Sequence, residues 1–289
     1  MLHRVLLLSI AAIGGVPAIF GGCPEPVKHY TTIGCVASVH QTAQGCPRWF
    51  DCSELAQRTS DKCYLYGKSY QLNDHVPDEK IKPTCSALCT CQKNARGVAE
   101  FHCGHIDCPE FLAPLALNRA GCVRQYRGNE CCSSRQVCGE KKFHLARCTL
   151  DGNRYYEGER MSLAQDPCLT CICGANFNET QNPLSQTKCY TNDCPFELTS
   201  PSVLMSGAAP VYYGRGCCPW EWRMPKPDDR LQANDGGDNE LRSASIYRCR
   251  YGNLTLHAGE SLVPDVTSHG TYECRCSIPP MVHCILKPA

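Results

Sequence analysis

A tight Cys89-Thr90-Cys91 pair, followed forty residues later by the vicinal pair Cys131-Cys132, marks a cysteine order that recurs along this chain. Residues 63–138 hold ten of the 26 cysteines. A second copy runs from Cys148. Cys63-x-x-x-Gly67-x-x-Tyr70 becomes Cys148-x-x-x-Gly152-x-x-Tyr155, Cys85/Cys89/Cys91 becomes Cys168/Cys171/Cys173, and Cys131-Cys132 becomes Cys217-Cys218. Asn73 and Gly158 each lie six residues past the first glycine, and both residue types tolerate positive φ, so both fit one turn. Residues 23–52 carry only the second half of this unit, from Cys23-Pro24-Glu25 through Gly34-Cys35 to Cys46 and Cys52. Residues 249–284 carry only the first half, with Cys274-Arg275-Cys276 as the tight pair.

So many cysteines, with no long apolar periodic segment after the N-terminus, predict small modules stapled by disulfides rather than one large core. Short strands between Gly and Asn turns are the expected secondary structure. Residues 1–18 read as a secretory signal: a polar start with His3 and Arg4, an apolar run from Val5 to Ile13, and a small-residue cleavage site at Val16-Pro17-Ala18. Secretion places the cysteines where they oxidise. No further segment reads as a transmembrane anchor. Residues 225–246, rich in Pro, Asp, Gly, Asn and Ser and free of cysteine, read as a flexible linker.

The incomplete copies constrain the pairing, because partners tend to vanish together. In the second copy Ala208 and Met224 stand where Cys122 and Cys138 stand in the first, which pairs Cys122–Cys138. The N-terminal half has Gly45 at the Cys131 position, and the C-terminal half has Thr271 at the Cys85 position. This pairs Cys85–Cys131 and Cys168–Cys217 across the halves. Cys108–Cys132 and Cys194–Cys218 follow, as do Cys23–Cys46 and Cys35–Cys52. In the first halves one intervening residue makes Cys89–Cys91 a poor bridge. Two options remain there, of which Cys63–Cys91 with Cys89–Cys103 is the better. A zinc reading of the C-x-x-C-x-C and Cys103-x-His105 spacings is disfavoured by secretion and the matched losses.

The ordered framework resembles the von Willebrand factor type C module, the chordin-like cysteine-rich repeat, carried by Cys63-x-x-x-Gly67-x-x-Tyr70, Cys85-x-x-x-Cys89-x-Cys91, Cys103, Cys108, Cys122, Cys131-Cys132 and Cys138. It covers nearly all of the chain after the signal: a half module at 23–52, full modules at 63–138 and 148–224, the linker at 225–246 and a half module at 249–284. The resemblance implies a small disulfide-rich fold, mostly β and irregular, of tandem modules with short antiparallel strands. It also resolves the open choice, implying Cys63–Cys91 with Cys89–Cys103, Cys148–Cys173 with Cys171–Cys189, and Cys249–Cys276 with Cys274–Cys284. The tryptophan often found after the first hairpin is absent; Trp49, Trp220 and Trp222 lie elsewhere.

Many proteins of this type bind bone morphogenetic proteins and related growth factors of the transforming growth factor β type, so the resemblance implies an extracellular protein ligand. The alternatives are a structural or adhesive matrix component, or a secreted inhibitor or defence protein. Net charge is +1 without a basic tract, which speaks against nucleic acid. No G-x-S-x-G or H-E-x-x-H is present, and His102, His105 and Asp107 read as a solvated loop, so neither enzymatic function nor a cofactor is expected. The aromatic group Tyr212, Tyr213, Trp220, Glu221 and Trp222 is the candidate protein contact, with module packing as the competing role. Asn178-Glu179-Thr180 and Asn253-Leu254-Thr255 are glycosylation acceptors. Lys141-Lys142 could be a processing site, although a solvated linker is the simpler reading. Oligomeric state is not legible.

Overall fold

The computed structural model describes residues 23–112, 121–232 and 247–289. The expected signal, residues 1–18, and positions 233–246 of the expected linker lie outside these ranges. All 26 cysteines are bridged. The N-terminal pairs are Cys23–Cys46 and Cys35–Cys52. Residues 63–138 contain Cys63–Cys91, Cys85–Cys131, Cys89–Cys103, Cys108–Cys132 and Cys122–Cys138. Residues 148–218 contain Cys148–Cys173, Cys168–Cys217, Cys171–Cys189 and Cys194–Cys218. The last two are Cys249–Cys276 and Cys274–Cys284.

The protein is a disulfide-rich assembly of short, mostly antiparallel strands. Three first halves share one local design. Each opens with a hairpin: β3 (Cys63–Leu65) with β4 (Lys68–Tyr70), β9 (Arg147–Leu150) with β10 (Asn153–Tyr156), and β16 (Arg248–Tyr251) with β17 (Leu254–His257). Asn73, Gly158 and Gly259 then take φ of +70°, +87° and +92°. Their N–H groups donate to the carbonyls of Cys91, Cys173 and Cys276 at 2.8, 2.8 and 2.7 Å. The next residue in each copy is acidic, and its carboxylate accepts from the backbone N–H three residues earlier: Asp74 from Gln71, Glu159 from Tyr156, Glu260 from His257, all at 2.6–2.7 Å. Thus a turn that only Gly or Asn adopts cheaply, followed by a carboxylate cap, recurs three times. Each first half is completed by further strands: β5 (Ser86–Lys93) with β6 (Ala99–His105); β11 (Arg160–Ser162), β12 (Leu169–Ile172) and β13 (Cys189–Thr191); and β18 (Asp265–Thr267), β19 (Gly270–Arg275) and β20 (His283–Lys287).

The second halves repeat too. Each contains one or two short helices, a glycine at positive φ and a two-stranded ribbon, in that order. The glycines are Gly34, Gly121 and Gly207. The ribbons are β1 (Val36–Ala37) with β2 (Phe50–Asp51), β7 (Val123–Gln125) with β8 (Arg135–Val137), and β14 (Ala209–Tyr213) with β15 (Glu221–Arg223).

These pieces pack into one body. β14 runs parallel beside β20, pairing Val211 with Cys284, so the second copy and the C-terminal half share a five-stranded sheet in the order β15-β14-β20-β19-β18. The N-terminal half docks on the C-terminal half. Tyr30 stacks on Phe50 with ring centres 4.3 Å apart, and both pack against Ile278. The Tyr30 hydroxyl donates to the Ile278 carbonyl at 2.6 Å and accepts from Met281 N–H at 2.9 Å, while Phe50 N–H donates to the Pro279 carbonyl at 2.8 Å. Burying each of these aromatic side chains contributes about 1.5–3 kcal/mol. Ile33 of the same half packs with Phe196 and Leu204, and Gly34 abuts Gly67 so closely that an added Cβ would sit 2.8 Å from the Gly67 Cα.

The start of the expected linker is corrected. Arg223, buried at the end of β15, binds Asp229 at 2.6 Å and Asp265 at 3.1 Å, and Asp229 also accepts from Lys226 N–H. Gln232 N–H donates to Ser261, Val263 N–H donates to Arg230, and Leu231 bridges to Leu262. Residues 226–232 are therefore strapped onto the C-terminal half by charges and backbone pairing that their Pro- and Asp-rich composition does not reveal.

Candidate functional site

Strand alternation divides the aromatic group at β14 and β15. Tyr212 and Tyr213 are adjacent and point to opposite faces. Tyr212 is fully buried, with its hydroxyl 2.8 Å from His29 Nδ1, and Trp222 packs edge-on against Phe196. Tyr212 is thus sealed in the core, and Trp222 is half-buried in packing. Tyr213 and Trp220 remain 54% and 74% exposed at the same end of the sheet. Glu221 accepts a hydrogen bond from the Tyr272 hydroxyl at 2.7 Å, which ties β15 to β19. Of the aromatic candidates, Tyr213 and Trp220 are the ones left largely exposed, on a sheet that the Cys194–Cys218 and Cys274–Cys284 bridges brace.

Beneath the sheet lies a buried polar cluster that the sequence did not indicate. Glu25 and His29 come from the N-terminal half, Tyr212 from β14, and His283 and Arg275 from the C-terminal half. Arg275 binds Glu25 at 2.6 Å, and His283 Nε2 lies 3.3 Å from the other Glu25 oxygen. Burial opposes ionisation of Glu25, yet His283 and Arg275 outweigh it and hold the carboxyl down at about 2. Burial, reinforced by His283, pushes the His29 imidazole well below its ordinary range, and burial pushes the Tyr212 hydroxyl up. The two histidines and Tyr212 are closed to solvent. The cluster joins three segments, with Arg275 half exposed at its edge.

A shallow polar cleft of about 220 Å³ is lined by Pro83, Asn129, Arg160, Tyr190, Asn192 and Asp193. Burial raises both the Tyr190 hydroxyl, against the pull of Arg160, and the Asp193 carboxyl, against the pull of Lys28. It pairs no nucleophile with a base. The sulfurs that gather near the vicinal pairs are packed disulfides, with Cys108 Sγ 3.3 Å from Cys131 Sγ; all six cysteines of these two clusters are oxidised and so offer no thiolate to a metal. His102 lies exposed on β6, 3.9 Å from Glu100.

Both glycosylation acceptors are exposed. Asn178 accepts from the Thr180 hydroxyl at 2.8 Å, and Asn253 sits in the turn of the β16–β17 hairpin. Lys141-Lys142 lies in a short 3-10 helix, Gly139–His144, where Lys142 Nζ donates to the Gly121 carbonyl at 2.8 Å. A protease needing an extended dibasic segment does not find one there. Among the described residues no helix is long and apolar enough to cross a membrane.

No family model matches the chain. No solved structure matches it either.

Proposed function

We propose that this is a secreted extracellular protein assembled from von Willebrand factor type C-like modules, and that it binds and modulates a growth factor of the bone morphogenetic protein or transforming growth factor β type. The observation that carries the binding reading is the pair of large exposed aromatics, Tyr213 and Trp220, on a disulfide-braced sheet. Exposed rings on a rigid element lose little entropy on binding and are the side chains that dominate protein interfaces. Thirteen disulfides fit an oxidising, extracellular setting. The docking of the two half modules on each other supports a self-contained binder over a matrix polymer, because their faces are already covered.

The test is capture of secreted growth factors by the purified full chain and by Tyr213→Ala/Trp220→Ala. Saturable capture of one factor, weakened at least about tenfold in the double variant, supports the reading. Absence of capture together with deposition into insoluble matrix would instead favour the structural alternative.

A further inference from the structure

The hairpin of β9 and β10 has one buried face and one charged face. Arg147 pairs with Tyr156, and Thr149 pairs with Arg154, so all four side chains share the outward face. Cys148 and Leu150 fill the buried one. The preceding 3-10 helix lies alongside. Lys142 Nζ sits 5.9 Å from the centre of the Tyr156 ring, and Arg147 Cζ sits 5.0 Å from the same centre, so one ring is flanked by two cations. Lys141, Arg147 and Arg154 are exposed, and so is Phe143, at 62%. Between Lys141 and Arg154 the chain carries four Lys and Arg against one carboxylate, Asp151, in a protein of net charge +1. That carboxylate accepts from Ala164 N–H at 2.9 Å. Among the described residues none of the four cations has a carboxylate within ion-pair distance.

Unpaired cations cost nothing in water but gain strongly from a polyanion, which surrenders its counterions to them. The surface is a two-stranded ribbon beside a helical turn, and its exposed side chains are mainly cationic and polar. The half-buried Tyr156 lies between Lys142 and Arg147, and the exposed ring of Phe143 has Lys142 Nζ 5.5 Å from its centre, an arrangement that suits a sugar ring beside sulfates. We propose that this face binds a sulfated polysaccharide chain, with Lys141, Arg147 and Arg154 on its sulfates and Phe143 beneath a sugar ring. This rests on the protein working outside the cell and is independent of any growth factor bound elsewhere. The cations are spread over fourteen positions, so no basic tract announces them; the strand register assembles them.

The experiment uses the full chain and immobilised heparin as the probe. Wild type should be retained at about 0.15 M salt. Lys141→Gln/Arg147→Gln/Arg154→Gln should bind at least about tenfold more weakly, with a shallower dependence of log affinity on log salt, by roughly two to three. Phe143→Ala should weaken binding without changing that slope. The control is Arg248→Gln/Arg250→Gln, the exposed arginines of the corresponding hairpin, which should bind as wild type does. Competition of wild type by soluble heparin, set against desulfated heparin, polyglutamate and single-stranded DNA, needs no variant. The proposal is overturned if wild type is not retained, if the triple variant binds unchanged, if the control loses as much, or if polyglutamate or DNA competes as well as heparin.

Discussion

Ala208 and Met224 occupy the register step next to the Ala209–Arg223 pair, at the open end of the β14–β15 ribbon. In the sister ribbons the corresponding step, beside Val123–Val137 and Val36–Asp51, is closed by Cys122–Cys138 and Cys35–Cys52, with Cα atoms 4.2 and 4.6 Å apart. The second copy thus keeps the scaffold of a bridge it lacks. Replacing both residues with Cys should form a fourteenth disulfide, stabilising by about 3 kcal/mol for a loop of about 15 residues. Mass spectrometry after alkylation should find no free thiol, and Tm should rise. Either single Cys should lower the secreted yield. Two reduced thiols in the double variant would refute the alignment of the copies.

The buried histidine at the junction makes stability depend on pH. Because the folded His29 is depressed below the ordinary value of 6.5, its neutral form contributes fully above that value. The contribution is lost as pH falls below 6.5, when the unfolded chain takes up a proton that the folded one resists. Glu25, held at about 2 against an ordinary 4.5, is lost only at lower pH, from 4.5 downward. Tm should therefore fall between pH 7 and 5, and His29→Gln should flatten that decline. An equal slope in the variant would assign the dependence elsewhere.

Gly34 and Gly45 separate strain from crowding. Both have positive φ, +86° and +78°. A Cβ at Gly45 meets nothing within 4 Å, while one at Gly34 meets the Gly67 backbone at 2.8 Å. Gly45→Ala should cost about 1–2 kcal/mol, the left-handed penalty alone. Gly34→Ala should cost clearly more, because backbone must also move. Denaturant midpoints of the two variants compared side by side provide the check.

Glu197 is fully buried with Arg58 at 2.6 Å and accepts Tyr66 N–H at 2.6 Å through its other oxygen. Burial raises its carboxyl against the pull of Arg58. Arg58→Ala strands that carboxylate and should destabilise by about 3–5 kcal/mol. Arg58→Ala/Glu197→Gln, which removes the charge as well, should recover part of the loss in thermal melts. No recovery would mean that packing, not charge, dominates the site.

The cysteine order was legible because damaged copies expose which positions belong together, as with Ala208 and Met224. The left-handed turns were legible because Asn73 and Gly158 are residue types that such backbone selects. The carboxylate caps were present as a signal, one acidic residue after each turn at Asp74, Glu159 and Glu260, but a lone acid beside a turn reads as surface. Two features were not legible. Tyr212 and Tyr213 are chemically alike, and only the sheet decides which is inside. The meeting of Tyr30 with Ile278 joins residues 248 apart, and no local pattern in either half names the other.

Every disulfide closes within one of four segments, 23–52, 63–138, 148–218 or 249–284, and none crosses between them. Among the described residues the segments adhere through side-chain packing, strand pairing, hydrogen bonds and ion pairs, with no sulfur bond between them. Four sealed units can therefore separate and rejoin with every sulfur bond intact. Opening of the oxidised protein is then a sequence of undockings rather than one all-or-none event, and the calorimetric enthalpy should exceed the van't Hoff value.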